Sequence, residues 1–489
     1  MSRNQASPAG SAPAGGPGGL RDPVLWSILA LALAVRGALV VRYPIIAIWR
    51  DESLHYLMSV VAANVEQHLL GHWAPGYEFF LGTIFRAVGP SLPAARWGQV
   101  GVSVLTVGLV YGIARRAGGV RAARIAGIFC ALYPSLVAYS HYIYSETLFS
   151  ALLTAGVYVL HRSPDAPRRG ELMSAGALFG FAILTRGVLL YFFPFWLGWL
   201  VLGRRWDAFR RAGVVFAVAF AVLLPWTLRN AILFHDFILV DGTMGRTAWW
   251  AYNERPYHAD LGYMQAAAFF NRPKCELVSH PLREPLPSIR ELRELFPPDE
   301  ELDEGLAKRL PFELAVVRGY GVRDLGAYQR CEVRNALSFI QEETGLAVRR
   351  VLERIPMLWV PNSFLLRSVS WDSYPGGILG PDNYRNVKLA VVSSYAAVVL
   401  LAILALGRRS SPPIVEWVML LCVYYTGIHA LAVTSTRCRL PLMPLVIVVG
   451  SLWLARPCWP ETRERWLAVV ALAALFAALC FDHLSNVLP

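Results

Sequence analysis

The chain has 489 residues, of which 55% are hydrophobic, 12% aromatic and only 16% charged. A soluble domain carries about a quarter charged residues, so this composition excludes an ordinary soluble globular protein. The formal net charge of +12 would suit a nucleic-acid binder. However, the arginines lie in short loops between apolar runs, where the positive-inside rule accounts for them.

The chain opens with MSRNQASPAGSAPAGGPGG. Residues 1–22 are too rich in Pro, Gly, Ala and Ser to bury a core, and disorder is expected there. The apolar run that follows is too long for a signal-peptide core and lacks a small-residue cleavage site, so it reads as an uncleaved first membrane helix. Apolar runs place membrane helices at roughly 23–42, 97–115, 122–140, 145–161, 172–187, 188–203, 213–233, 387–407, 413–432, 440–456 and 465–482. The expected architecture is an all-α polytopic membrane protein of about eleven spans.

The loops fix the orientation. ARRAGGVRAAR, HRSPDAPRRG, GRRWDAFRR, GRRSS and ARPCWPETRER all fall on one side of such a bundle, the side expected to be cytoplasmic. The N-terminus is then inside and the C-terminus outside. Two long segments face outward. One is the loop of about residues 43–96, within a first membrane module over roughly 23–233. The other, about 234–386, is too long for a plain connector and is expected to be a partly helical extracytoplasmic insertion. The final helices occupy 387–489. Within the insertion, TGLAVRRVLERIPMLWVP alternates apolar residues at helical spacing with Arg on the other face, which suits a helix lying on the membrane surface. Cys275 and Cys331 also fall in the insertion, where a disulfide is chemically permitted.

The stretch IWRDESLHYLMSV places Asp51 and Glu52 where the first helix leaves the membrane. If 50–60 is helical, Asp51 and His55 share one edge at i, i+4, and Glu52 and Tyr56 another. A plain role is open to the acidic pair: charging the first turn of an interfacial helix, where anions suit the dipole. HWAPGYEFFLGTIFRAVG follows, then YIYSETLFSALLTAGVYVL, GALFGFAILTRGVLLYFFP, PWTLRNAILFHDFILVDGTMG and, near the end, TSTRCRLPLMP.

This ordered set, over about residues 24–455, resembles the GT-C superfamily of membrane glycosyltransferases, in particular bacterial relatives of the protein O-mannosyltransferases and of the lipid A aminoarabinose transferase. The resemblance implies transfer of a sugar from a polyprenyl-phosphate donor at the outer face of the cell (plasma or inner) membrane. It also implies an essential acid in the first outer loop, by position Asp51, with Glu52 beside it. Chemistry agrees. An acceptor hydroxyl is a poor nucleophile until a carboxylate within reach takes its proton. The departing lipid phosphate needs cations, which Arg supplies as a bidentate fork. Arg186, Arg229, Arg437 and Arg439 lie at membrane depth on the outer side, where charge is costly and tends to be functional; the plain alternative is snorkelling to the interface. Arg437, Arg439 and Arg186 are the candidate phosphate ligands, with His72, Tyr77 and Glu146 as further substrate-binding candidates. No cofactor is required by the sequence and no spacing demands a metal, although Glu52, His72 and Glu146 together could hold a divalent ion. The expected partners are the lipid-linked donor, membrane lipid and a lipid, glycan or protein acceptor, and not nucleic acid. A lipid-linked polysaccharide polymerase and a non-catalytic transporter or flippase are the alternatives. Internal repeats and mid-membrane charges, which would favour a transporter, are not evident.

Overall fold

A computed structural model describes residues 22–43, 50–63, 73–163, 166–253, 325–370, 373–374, 377–408 and 411–485, except the side chains of 50, 51, 53, 325, 327, 328 and 482–485. Residues 1–21 of the expected N-terminal tail and Cys275 lie outside the described residues, while Asp22 is ordered as the cap of the first helix. Helices and turns make up the described chain, with no strand among the described residues. The multi-pass, all-α reading therefore stands.

The first module starts with α1 (Pro23–Arg42). Asp22 caps it, accepting from the Val24 amide at 3.1 Å, and Pro23 begins the first turn, where a missing N–H costs nothing. Then come α2 (Arg50–Ala63), α3 (Gly76–Val88), the long α4 (Leu92–Leu132), α5 (Pro134–Tyr139), α6 (Glu146–Leu160), α7 (Arg169–Thr185), α8 (Phe192–Leu202) and α9 (Trp206–Phe234). Short helices α10 (Met244–Ala251), α11 (Leu325–Glu342), α12 (Thr344–Met357) and α13 (Phe364–Ser370) occupy the described part of the insertion. The chain closes with α14 (Tyr384–Ala405), α15 (Pro413–Leu431), α16 (Met443–Ala455) and α17 (Arg463–Ser485).

Seven of these helices are long and apolar enough to cross a membrane. They are α1, α4, α9 and α14 to α17, α14 and α16 being counted together with the 3-10 turns before them. The remaining expected spans fall on the shorter α6, α7 and α8, and on a second arm of α4. That helix bends at Gly119, whose φ of 82° is open to glycine. Its two arms fold against each other: a Cβ on Gly127 would lie 3.2 Å from the Tyr111 ring. The Tyr111 hydroxyl and the Arg124 guanidinium both donate to the Asp22 carboxylate, which ties the hairpin to the start of α1. Arg124 holds the Asp22 carboxyl down to about 2.

Close helix packing uses small residues. Gly176 and Gly180, in GALFG, let α7 approach α9 so tightly that a Cβ on either would meet a backbone carbonyl, of Val215 at 2.7 Å or Ala219 at 2.9 Å. Outward faces stay apolar, as at Leu228 and Ile232 of α9 and Leu467 and Phe481 of α17. The arginine-rich loops meet at one end of the bundle. Arg116 donates to the Tyr158 hydroxyl at 2.8 Å, Arg205 pairs with Glu416, and Arg465 reaches the Arg408 carbonyl at 2.9 Å.

Buried arginines close the helix ends. Arg36 of α1, fully buried, donates from Nε to Ser103 Oγ at 2.8 Å and to the carbonyls of Ala131 at 2.7 Å and Cys130 at 3.1 Å. Those carbonyls end α4, where Pro134 stops the ladder, and in a membrane no water would serve them. The insertion repeats the device and differs from expectation. Arg350 and Arg354 of α12 point inward rather than to solvent. Arg354 donates to the carbonyls of Ala251 at 2.6 Å and Ala430 at 3.4 Å, and Arg350 to that of Asn253 at 2.8 Å. Val348, Leu352 and Ile355 are exposed instead. The orphan carbonyls at the end of α10 outcompete solvent for the guanidiniums. Cys331 is disulfide-bonded, and Cys130, Cys422, Cys438, Cys458 and Cys480 are free thiols.

Replacing Arg36 by Met leaves three acceptors unserved in a buried setting. At about 1 kcal/mol or more for each, Arg36→Met should lower unfolding stability by roughly 3 kcal/mol, checked by denaturation of the purified chain in detergent.

Candidate active site

The sequence motifs that are scattered along the chain converge at the end of the bundle opposite the arginine loops. At their centre is Glu146, the first residue of α6 and fully buried. Its Oε1 pairs with Arg186 Nη1 at 2.8 Å and with Arg437 Nε at 3.3 Å. Arg186 follows the last residue of α7, and its Nη1 also donates to Ser145 Oγ at 3.1 Å. Arg437 belongs to a 3-10 segment, Thr436–Leu442, between α15 and α16, and its guanidinium lies over the rings of Tyr144 and Phe364, 5.1 and 5.8 Å from their centroids. One carboxylate thus holds two cations from distant parts of the chain, and its other oxygen is buried with no hydrogen-bond partner among the described residues.

The segment carrying α2 and α3 packs beside this cluster. Helix α2 does form, and Asp51 lies in its first turn, but the Asp51 side chain is outside the described residues. Glu52 is fully buried and accepts from the Ile143 amide at 2.9 Å, so it fixes the turn that leads into α6. His55, one turn after Asp51, donates from Nδ1 to Glu78 Oε1 at 2.9 Å, and its ring stands 4.3 Å from that of Trp73. Tyr77 is also buried. Its hydroxyl donates to Gln99 Oε1 at 3.1 Å, and Gln99 Nε2 donates to the Tyr142 carbonyl at 2.6 Å. Tyr77 therefore holds the wall of the site. The Pro-Gly-Tyr turn is pressed onto the Thr-Arg-Gly motif: a Cβ on Gly76 would lie 2.7 Å from Thr185 Oγ1. His141 sits behind the wall. Its Nε2 donates to the Tyr43 carbonyl at 2.8 Å, and burial together with the Arg96 charge brings its imidazole down to about 3.

Of the candidate residues, the structure brings Glu52, Tyr77, Glu146, Arg186 and Arg437 together. His72 lies outside the described residues. Arg439 is two residues from Arg437 but faces elsewhere. It donates to the carbonyls of Leu358 and Val360, both at 2.6 Å, and of Asn362 at 2.7 Å, and its guanidinium covers the Tyr395 ring. Its guanidinium serves as a backbone clamp. Arg229 lies over Trp226, with its Nη1 donating to Asn230 Oδ1 at 2.8 Å. Glu52 and Glu146 are committed to an amide and to arginines, and among the described residues no group of three or more His, Cys, Asp or Glu side chains could hold a metal ion.

Asp241, in VDGTMG, carries no signal in the sequence beyond that of a turn. It follows α9 in a tight turn, accepting from the Thr243 amide at 2.9 Å and hydroxyl at 2.5 Å. A Cβ on Gly187 would lie 3.2 Å from its Oδ2, which puts it against the Thr-Arg-Gly motif. Burial pushes its carboxyl up from the usual range. Asx turns of this kind are common in loops, so the motif by itself does not point to a site.

The comparisons with known proteins bear on this arrangement. Residues 72–228 match the model of a family described as dolichyl-phosphate-mannose-protein mannosyltransferase. That third of the chain is similar to the mannosyltransferases, and it holds α3 to α8 and most of α9, with Tyr77, Glu146 and Arg186. The match supports the resemblance to GT-C membrane glycosyltransferases. No curated protein matches. Among solved structures, ArnT from Cupriavidus metallidurans bound to undecaprenyl phosphate is 16% identical, with 90% of this chain and 79% of that one covered and a TM-score of 0.40. The oligosaccharyltransferase AglB from Archaeoglobus fulgidus, in complex with an inhibitory peptide and a dolichol-phosphate, is 14% identical, with 95% and 56% covered and a TM-score of 0.45.

A raised carboxyl pKa means that the folded state resists ionising Asp241. The cost is absent below the unfolded carboxyl range, near pH 4, and grows as pH rises through the folded value. Asp241→Asn keeps the acceptor for Thr243 and removes the charge. It should stabilise the protein at pH 7 and leave stability unchanged below about pH 4, measured by thermal unfolding across that range.

Proposed function

We propose that the chain is a membrane glycosyltransferase that moves a sugar from a polyprenyl-phosphate carrier to an acceptor hydroxyl at the extracytoplasmic face of the cell membrane. The observation that carries this reading is the shared pairing of Glu146 with Arg186 and Arg437 beside α2, the helix whose first turn holds Asp51. Two guanidiniums held by one buried carboxylate present a fixed cationic surface at one end of the bundle. A lipid phosphate needs that surface as its bond to the sugar breaks and its charge grows. The isoprenoid tail stays in lipid while the phosphosugar sits at headgroup level, so donor, acceptor and base meet at the boundary.

In this mechanism the acceptor hydroxyl attacks the anomeric carbon as Asp51 takes its proton. The bond to the lipid phosphate breaks on the opposite side, with inversion. Arg437 and Arg186 receive the leaving phosphate. Glu52 acts as a positioning residue, because the amide it accepts from belongs to the turn that sets Tyr144 and Glu146.

Purified protein supplied with a panel of polyprenyl-phosphate sugars should release lipid phosphate with at least one of them. Asp51→Asn should lose about a hundredfold to ten-thousandfold in turnover while keeping donor affinity, and Glu52→Gln should lose less. Near-normal turnover in Asp51→Asn removes that residue from the mechanism. In a separate test, Arg437→Lys replaces a fork with a point charge and should weaken donor binding on the order of tenfold, about 1.4 kcal/mol. Wild-type donor binding by Arg437→Lys would move the phosphate elsewhere.

A further inference from the structure

His55 of α2 donates from Nδ1 to Glu78 Oε1 of α3 at 2.9 Å, and both residues are buried. No other hydrogen bond reaches Glu78 among the described residues, and its Oε2 is sealed without a partner among them. The charges nearby are engaged elsewhere. Glu146 is held by Arg186 and Arg437, Glu52 serves the Ile143 amide, and Arg96 of α4 donates to the His141 carbonyl at 3.1 Å. A buried carboxylate needs a counter-charge. Among the described residues His55 is the group placed to supply it, and the balance is reached when the imidazole carries a proton on each nitrogen.

The other end of the imidazole is open. The His55 side chain keeps 11% exposure against 2% for Glu78. Its Nε2 makes no hydrogen bond among the described residues, yet it is not sealed as Glu78 Oε2 is. Aromatic rings set its position. The Trp73, Tyr77 and Tyr144 centroids lie 4.3, 5.0 and 6.4 Å from that of the imidazole, and Arg437 lies over the same Tyr144 ring. A ring fixed through Nδ1, with Nε2 open beside a pair of guanidiniums, has the geometry of an oriented proton-transfer residue. A pair that only braced two helices would gain nothing from an open nitrogen.

We propose that His55, oriented by Glu78, is a catalytic proton donor to the leaving lipid phosphate. The proposal rests on the glycosyltransferase reading and adds an acid to it. As the acceptor oxygen attacks, the bond from the anomeric carbon to the phosphate oxygen breaks, and its electron pair stays on that oxygen. The proton on His55 Nε2 passes to the phosphate. The acceptor's own proton goes to Asp51, which stands one turn earlier on the same edge of α2. Once Asp51 has released its proton to solvent and His55 has taken one up, the hydroxyl proton has in effect moved to the phosphate and both residues are reset. Glu78 is a positioning residue, since it touches His55 and not the reacting atoms.

The test follows release of undecaprenyl phosphate from undecaprenyl-phosphate sugars by the full-length protein in detergent. Wild-type turnover should fall as pH rises through the imidazole range, because only the imidazolium can donate. His55→Asn keeps a donor for Glu78 but has no Nε2–H. It should lose about a hundredfold in turnover, keep its affinity for undecaprenyl phosphate, and no longer show that fall with pH. Glu78→Gln should lower kcat with KM unchanged and move the fall to lower pH, since the imidazolium loses its counter-charge. In wild type, diethyl pyrocarbonate should modify His55 at Nε2 and stop turnover, which checks the role without a variant. Three results would overturn the proposal and leave the glycosyltransferase reading standing. One is a His55 that diethyl pyrocarbonate does not reach. Another is wild-type turnover in His55→Asn, or a fall with pH that survives in it. The third is a turnover that instead rises with pH through the same range and loses that rise in His55→Asn, which would make His55 a base. Release from none of the sugars by wild type would overturn the glycosyltransferase reading, and this proposal with it.

Discussion

The buried carboxylate of Glu146 is the point on which this end of the molecule depends. An ion pair out of water repays its desolvation only when its geometry is good and further bonds satisfy it. Glu146 meets that condition by holding Arg186 and Arg437 at once, while Ser145 shares the load on Arg186. The consequence is topological. Residues from the start of α6, the end of α7 and the link between α15 and α16 must arrive together, or a charge is left stranded. Hydrophobic packing alone leaves helices in a membrane free to slide, because lipid is as apolar as their faces. A shared carboxylate fixes their heights.

A related constraint operates where helices end. Backbone carbonyls at the ends of spans cannot be left to water at membrane depth. Arg36, Arg354 and Arg439 each answer this by reaching across to carbonyls of another element. The same residue type thus has two uses here. Where its partner is a carbonyl it closes a helix end, and at Arg186 and Arg437, where the partner is the Glu146 carboxylate, it joins elements far apart in the chain.

That distinction separates what is legible in the sequence from what is not. The all-helical membrane fold is legible because a chain folding in water rarely carries so many apolar runs of spanning length. Glu146, Arg186 and Arg437 are legible as costly charges in recognisable motifs, and the structure brings them together. Arg439 stands two residues from Arg437 in the same motif, and no pattern says which of the two faces the carboxylate. Local 3-10 geometry in Thr436–Leu442 decides that. The inward turn of Arg350 and Arg354 is hidden because amphipathic spacing shows that a helix has two faces, not which one the protein buries. Asp241 is hidden because its motif reads as an ordinary turn, and only the close approach of Gly187 places it at the site.

The Arg439 clamp has a mechanical meaning. It joins the stretch of chain at 358–362 to the segment bearing Arg437, while Arg354 joins the preceding helix to the Ala430 carbonyl at the end of α15. The short link between α15 and α16 is thereby pinned to the insertion on both sides of Arg437. The insertion and this guanidinium behave as one lever with two fulcra. Whatever settles on the insertion is felt at Arg437 through rigid contacts, without passing through the spans.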